Sequence, residues 1–297
     1  MTSSDDRTPE QFERASIQEL AAGRLPLRAQ RRLATMRADQ AFTSNLTVAE
    51  HHAIRSVGFS PVGQVLGSSV YQTGYFGQWD CGYRDSPVEA GSIRQAFYEA
   101  RVRAVERMRQ ECAGLGGDGV IAVRLTTGSF GDGSERSEDV LEFRAIGTAV
   151  RADGGVRPPQ PFLSDLTGQD FAKLMSSGWV PCGLVLGLGV VIRHDDYRTQ
   201  AQARSWRNVE MDGYTSLVHA ARRLARDRLR ADCVGLGGGG VVVRTMNLRV
   251  DELRCVRGRN EQRDHLVEAL AIGTAITPFR HAGGNVPHPP LPIMRLD

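Results

Sequence analysis

A chain of 297 residues is long enough for two ordinary domains, and its 41% hydrophobic and 24% charged content excludes a wholly disordered protein. The 33 glycines carry no three-residue period, which excludes collagen. A net charge of +3, from 37 basic against 34 acidic residues, is too slight to argue for nucleic acid.

In chain order, the first stretch is Met1-Thr2-Ser3-Ser4-Asp5-Asp6, polar and acidic with no apolar run behind it. It predicts no secretory leader and a cytoplasmic location. Thr8-Pro9-Glu10 then opens a helix with proline at its first position, running to Gly23. Leu25-Pro26-Leu27 leads into an Arg-rich helix through Asp39. Residues 1–41 thus read as a helical arm that packs on the neighbouring domain or docks a partner.

Beyond the arm the chain repeats itself. Phe42-Thr43-Ser44-Asn45-Leu46-Thr47 returns as Phe162-Leu163-Ser164-Asp165-Leu166-Thr167, and Val65-Leu66-Gly67 as Val185-Leu186-Gly187, 120 residues on in both cases. Cys112-Ala113-Gly114-Leu115-Gly116-Gly117 returns as Cys233-Val234-Gly235-Leu236-Gly237-Gly238, 121 residues on. Ala145-Ile146-Gly147-Thr148-Ala149 returns as Ala271-Ile272-Gly273-Thr274-Ala275, 126 residues on. Order is kept and the offset drifts slowly, so a whole domain is predicted in duplicate: 42–150 and 162–277, joined by a Gly/Pro-rich linker at 151–161. Residues 278–297 form a Pro-rich tail, expected to be disordered.

Each copy reads alike. A short helix opens it, with a capping box at Thr47-Val48-Ala49-Glu50 and a weaker one at Thr167 and Asp170. An extended segment comes after it, Val62 to Tyr71 and Val180 to Ile192. A long helix is next, about 91–113 and 213–233. Its apolar stripe is Ile93, Phe97, Ala100, Ala104, Met108 and Cys112 in one copy, and Tyr214, Val218, Ala221, Ala225, Leu229 and Cys233 in the other. The small alanines predict close approach to a sheet, and the glycines after each cysteine stop the helix. Two strands finish each copy: Val120 to Leu125 with Val140 to Val150, and Val241 to Leu248 with Leu266 to Ile276. The fold class predicted is α+β: two tandem copies of a small antiparallel sheet covered by one long helix, each preceded by a short helix, with exposed edges that invite self-association.

The three motifs Val65-Leu66-Gly67-Ser68, Cys112 through Arg124, and Ala145 through Val150 occur in order, twice. They resemble the YbjQ-like domain, a family labelled heavy-metal-binding. The resemblance covers 63–150 and 183–277 and implies small dodecin-type units assembling into pentameric rings. The chain departs from the family in its central loops, Tyr75 to Tyr83 and His194 to Tyr197, and in its leading helices.

Chemistry is sparsely signposted. No Cys-x-x-Cys, His-Glu-x-x-His or EF-hand spacing occurs. Five widely spaced cysteines, an odd count, argue against a disulfide framework. Cys112 and Cys233 close apolar stripes and read as buried core; their alternative is a thiolate cluster on a ring axis, suited to Zn or Cu. His194, Asp195 and Asp196, in an expected loop with Cys182 upstream on the same strand, form the other candidate metal ligands. Gly114 to Gly119 comes after a helix rather than before one, so the dipole is the wrong way round for phosphate. No catalytic residue is assigned. The Arg-bearing helices are interleaved with acids and lack stacking aromatics, so nucleic acid is not expected. In the tail, Leu291, Ile293 and Leu296 among prolines suit a docking peptide.

The expectation is a non-enzymatic, ring-forming homo-oligomer that scaffolds or binds a protein partner through arm or tail. Heavy-metal binding or sensing is the alternative. Storage of an aromatic ligand between subunits, with Trp79, Tyr83 and Trp206 stacking on it, is a second alternative.

Overall fold

The computed structural model describes residues 8–39, 43–72, 86–129, 140–154, 157–257 and 260–279. Seven helices and two four-stranded sheets lie among them, a mixed α+β architecture. The tail beyond residue 279, and with it Leu291, Ile293 and Leu296, lies outside the described residues, as do Trp79, Cys81 and Tyr83.

The arm is two helices, α1 (Pro9–Ala21) and α2 (Leu27–Asp39). Thr8 caps α1 in a full capping box with Gln11, and proline sits at its start. Arg24 ties back to Glu19 at 2.7 Å, and the Arg31 guanidinium stands 4.3 Å from the Phe12 ring centre. The arm packs on the first copy. Leu33 is buried, Arg32 pairs with the buried Glu111, and Gln110 donates to the Gly23 carbonyl at 2.9 Å.

Then come α3 (Val48–Ser56), β1 (Phe59–Gln72), β2 (Val88–Glu89), α4 (Gly91–Gly114), β3 (Gly119–Ser129), β4 (Val140–Ala152) and β5 (Phe162–Leu163). The remainder is α5 (Gly168–Ser176), β6 (Trp179–His194), α6 (Tyr197–Ala203), α7 (Asp212–Gly235), β7 (Gly240–Arg257) and β8 (Asn260–Pro278). One sheet has the order β1-β4-β3-β5, the other β2-β6-β8-β7. The chain forms two compact units, one of 1–69, 101–126 and 143–173, the other of 70–100, 127–142 and 174–297.

Two short strands go beyond the expected elements. In the first unit β5 runs parallel to the edge strand β3, with Phe162 opposite Gly119 and Leu163 opposite Val120. Ser164 N–H donates to the Val120 carbonyl at 2.8 Å, and Ala122 N–H donates to the Leu166 carbonyl at 2.8 Å. A side chain at Gly119 would strike the Phe162 ring, which stacks on Phe171 at 5.8 Å. Ala122 has a left-handed backbone, φ 52°, a cost that persists where neighbours fix it. In the second unit β2 pairs antiparallel with the edge of β6, Val88 opposite Ile192 and Glu89 opposite Val191. Each expected three-stranded sheet therefore gains a fourth strand, and one of the two additions is parallel rather than antiparallel.

Glycines set the helix-to-sheet distance. In the second unit a Cβ at Gly187 would stand 2.0 Å from the Ala225 carbonyl oxygen, and one at Gly189 2.1 Å from that of Ala221. Helix α7 therefore lies with its backbone almost on β6. Around this seam Val185, Leu229, Cys233, Val241, Ala271 and Ala275 form one buried cluster. Val191, Leu217, Ala221, Ala225, Val267 and Ala269 form another. Gly67 bears the same relation to Ala104 in the first unit.

Candidate functional site

The expected loop at His194 shrinks to Asp195 and Asp196, the connection between β6 and α6. β6 runs through His194, Asp196 caps α6, and Tyr197 is its first residue. The cap is Asp196 Oδ1 accepting from Thr199 N–H at 2.7 Å. Opposite lies the start of β8, with His194 facing Asp264 and Arg193 facing His265.

This end of the β6–β8 ladder gathers a polar cluster. His194 Nδ1 donates to Asp264 Oδ1 at 2.5 Å, and His265 Nδ1 to Asp195 Oδ1 at 3.1 Å. The Tyr214 hydroxyl, from the first turn of α7, donates to Asp195 Oδ2 at 2.9 Å, and its ring centre lies 4.5 Å from that of His265. Arg193 donates to Asp196 Oδ2 at 2.8 Å and to Thr199 Oγ1 at 2.9 Å. His194, Asp195, Asp264 and Arg193 are all less than a tenth exposed. Burial on this scale is tolerable because each charge has a partner.

Burial pushes the Asp264 carboxyl above the ordinary carboxylate range, and the nearby Asp195 adds to this while His194 opposes it. Asp196 is held low by its hydrogen bonds from Thr199 and the Arg193 guanidinium. Burial, then the bond to Asp195, pushes the Tyr214 hydroxyl up to about 12. The arrangement can share protons within two histidine–carboxylate pairs and can tie α7 and α6 to the sheet end. Its carboxylates and ring nitrogens are turned on one another, and among the described residues no three His, Cys, Asp or Glu side chains are grouped to hold a metal ion. Thr199 Oγ1 accepts from Arg193, and its side chain also hydrogen-bonds the Asp196 carboxylate.

Cys182 does not join this cluster. It lies near the other end of β6, twelve residues from His194, a span of ~40 Å at ~3.3 Å per residue. It is half-buried and packs against the cluster containing Cys233. Cys112 is buried and its thiol donates to the Gly119 carbonyl at 3.3 Å, as Cys233 does to that of Gly240 at 3.5 Å. Burial pushes Cys112 up to about 12 and raises Cys182 and Cys233 as well. Burial disfavours the charged thiolate at each of them. Trp206 is fully exposed between α6 and α7.

Sequence reasoning finds His194, Asp195 and Asp196 and misses Asp264 and His265. Tyr214 belongs by spacing to an apolar stripe, yet its hydroxyl serves the cluster. The Asp264-His265 pair just ahead of the apolar run Leu266-Val267 is the available signal.

The fold is thus α+β, with a glycine seam under a long helix and a buried polar knot at the end of one sheet. A family model of the YbjQ type, described as "Putative heavy-metal-binding", matches residues 44–153. The encapsulin nanocompartment protein Rv1762c of Mycobacterium tuberculosis is 37% identical over 210 residues, covering 69% of this chain and 77% of that protein. A UPF0145 protein of Vibrio campbellii is 40% identical over 67 residues, 22% of this chain and 59% of that one. Another, of Lacticaseibacillus casei, is 28% identical over 96 residues, 31% of this chain and 82% of that one. The chain belongs to the YbjQ-like family.

Proposed function

We propose that the chain is a non-catalytic, oligomeric component of a protein assembly, built from two tandem YbjQ-like copies in which a small sheet is covered by one long helix. The observation that carries this reading is the 37% identity, over most of both chains, with a protein named for an encapsulin nanocompartment. The closed polar cluster and the burial of Cys112 and Cys233 fit a structural or binding role better than a reactive one. In this reading residues 278–297 are the docking segment for a partner, with Leu291, Ile293 and Leu296 as apolar anchors in a Pro-rich sequence.

The test is native mass spectrometry of untagged protein purified without chelator. A defined assembly of bare chains is expected, and deletion of the tail should abolish partner capture without changing its size. A monomer at every concentration sinks the reading. A mass excess of whole-number metal per chain puts metal binding in its place.

A further inference from the structure

Laid over one another, the two halves of the sequence differ sharply in size at one place. Val140-Leu141-Glu142-Phe143-Arg144-Ala145 of β4 recurs 126 residues on as Leu266-Val267-Glu268-Ala269-Leu270-Ala271 of β8. Phe143 thus becomes Ala269. On the long helices, 121 residues apart, Arg101 recurs as Arg222 and Ala104 as Ala225, whereas Val105 becomes Arg226.

In the first unit the phenyl ring is in place. Phe143 is 2% exposed, and the guanidinium of the buried Arg101 stands 5.0 Å from its ring centre, within cation–π range. In the second unit the corresponding residues line a cavity of about 160 Å³. Arg222, Ala225 and Arg226 of α7 form one wall, Met246 and Leu248 of β7 another, and Ala269 of β8 lies between them. Ala269 is opposite Leu248 in the β7–β8 register and packs with Ala221 and Ala225, so its side chain is on the face that α7 covers.

Size and chemistry define the occupant. An apolar cavity of ~150 Å³ accommodates one benzene ring. Met246 and Leu248 are 56% and 39% exposed, apolar surface that a ring would cover. The methionine sulfur suits an aromatic edge. Arg222 is exposed, whereas its counterpart Arg101 is buried over a ring. Arg226, also exposed, adds a second guanidinium one turn away, at the position where the first unit has valine. A guanidinium over the slot selects a π face, and a second at its rim selects a carboxylate.

We propose, on the two-copy reading, that this cavity binds a small aryl carboxylate, with its ring in the place that Phe143 fills in the first unit. The Arg222 guanidinium lies over the ring face and Arg226 pairs with the carboxylate. A cycloaliphatic carboxylate of the same size lacks the π face, and benzyl alcohol lacks the charge, so each keeps only part of the attraction.

The test is titration of the full chain with phenylacetate, followed by calorimetry and by ligand-observed NMR. One saturable site per chain is expected, with a Kd no weaker than about 10 mM. Cyclohexylacetate and benzyl alcohol should each bind at least about threefold more weakly. Ala269→Phe gives the second unit the ring that the first already holds. It should abolish binding while keeping or raising the urea midpoint, against the usual loss on enlarging a packed side chain. Arg226→Val should weaken phenylacetate about threefold and leave benzyl alcohol unchanged. No saturable binding to the unaltered chain overturns the site and leaves the two copies standing, as does binding that survives a folded Ala269→Phe variant. An Ala269→Phe chain that unfolds shows that no ring fits there, and overturns both the site and the likeness of the copies on which it rests. Whether chains assemble has no bearing on any of these results.

Discussion

His194 and Asp264 face each other across the β6–β8 ladder, with Nδ1 and Oδ1 2.5 Å apart and both residues less than a tenth exposed. The pair gives the fold a pH signature. The Asp264 carboxyl is raised in the folded protein. Its contribution is therefore present below the ordinary carboxylate pKa of ~3.9 and is lost as pH rises through the folded value. Asp264→Asn cannot ionise. The urea midpoint of the unaltered protein minus that of the variant should fall as pH rises from 3.5 to 7. A difference that rises over that range would mean that the ion pair with His194 outweighs burial.

Tyr214→Phe removes a hydroxyl from the buried Asp195 and leaves its Oδ2 without that donor. The expected cost is about 1–3 kcal/mol in urea unfolding, because the carboxylate stays buried. The companion Asp195→Asn, Tyr214→Phe double variant should cost less than the sum of the two single changes. Strict additivity would show that the two groups do not interact.

The seam between α7 and β6 admits no side chain at Gly187, where a Cβ would stand 2.0 Å from a backbone carbonyl. Gly187→Ala should destabilise by about 3 kcal/mol or more, since backbone rather than a flexible side chain must move. Gly154→Ala, at a site with nothing within 4 Å of the added carbon, should change stability by less than about 0.5 kcal/mol. Chemical denaturation of the two variants side by side distinguishes seam from surface.

Thiol labelling ranks the described cysteines. Cys112 is buried and raised to about 12, and Cys182 is half-buried. Alkylation at neutral pH, with peptide mapping afterwards, should mark Cys182 well before Cys112. Equal rates would mean that the end of α4 opens as readily as the surface.

The α+β class, the helices and the small residues facing the sheets are legible because they are local: a stripe at helical spacing, a glycine run after a cysteine. The partners of the polar cluster are not. His194 and Asp264 are 70 residues apart and meet only because two strands adopt one register, which nothing in either segment announces. Helix α6 escapes notice because seven residues without an apolar stripe show no period, although Asp196 and Thr199 have cap spacing. The two-residue strands β2 and β5 have too little sequence to signal themselves; the strand edge they land on makes them strands. Cys182 and His194 share a strand, but at that length sharing a strand separates them.

The pairing of the Phe162 leader with β3 lies within one covalent chain, so the effective concentration of its two sides stays in the millimolar range whatever the bulk value. Dilution that separates chains from one another leaves this pairing closed.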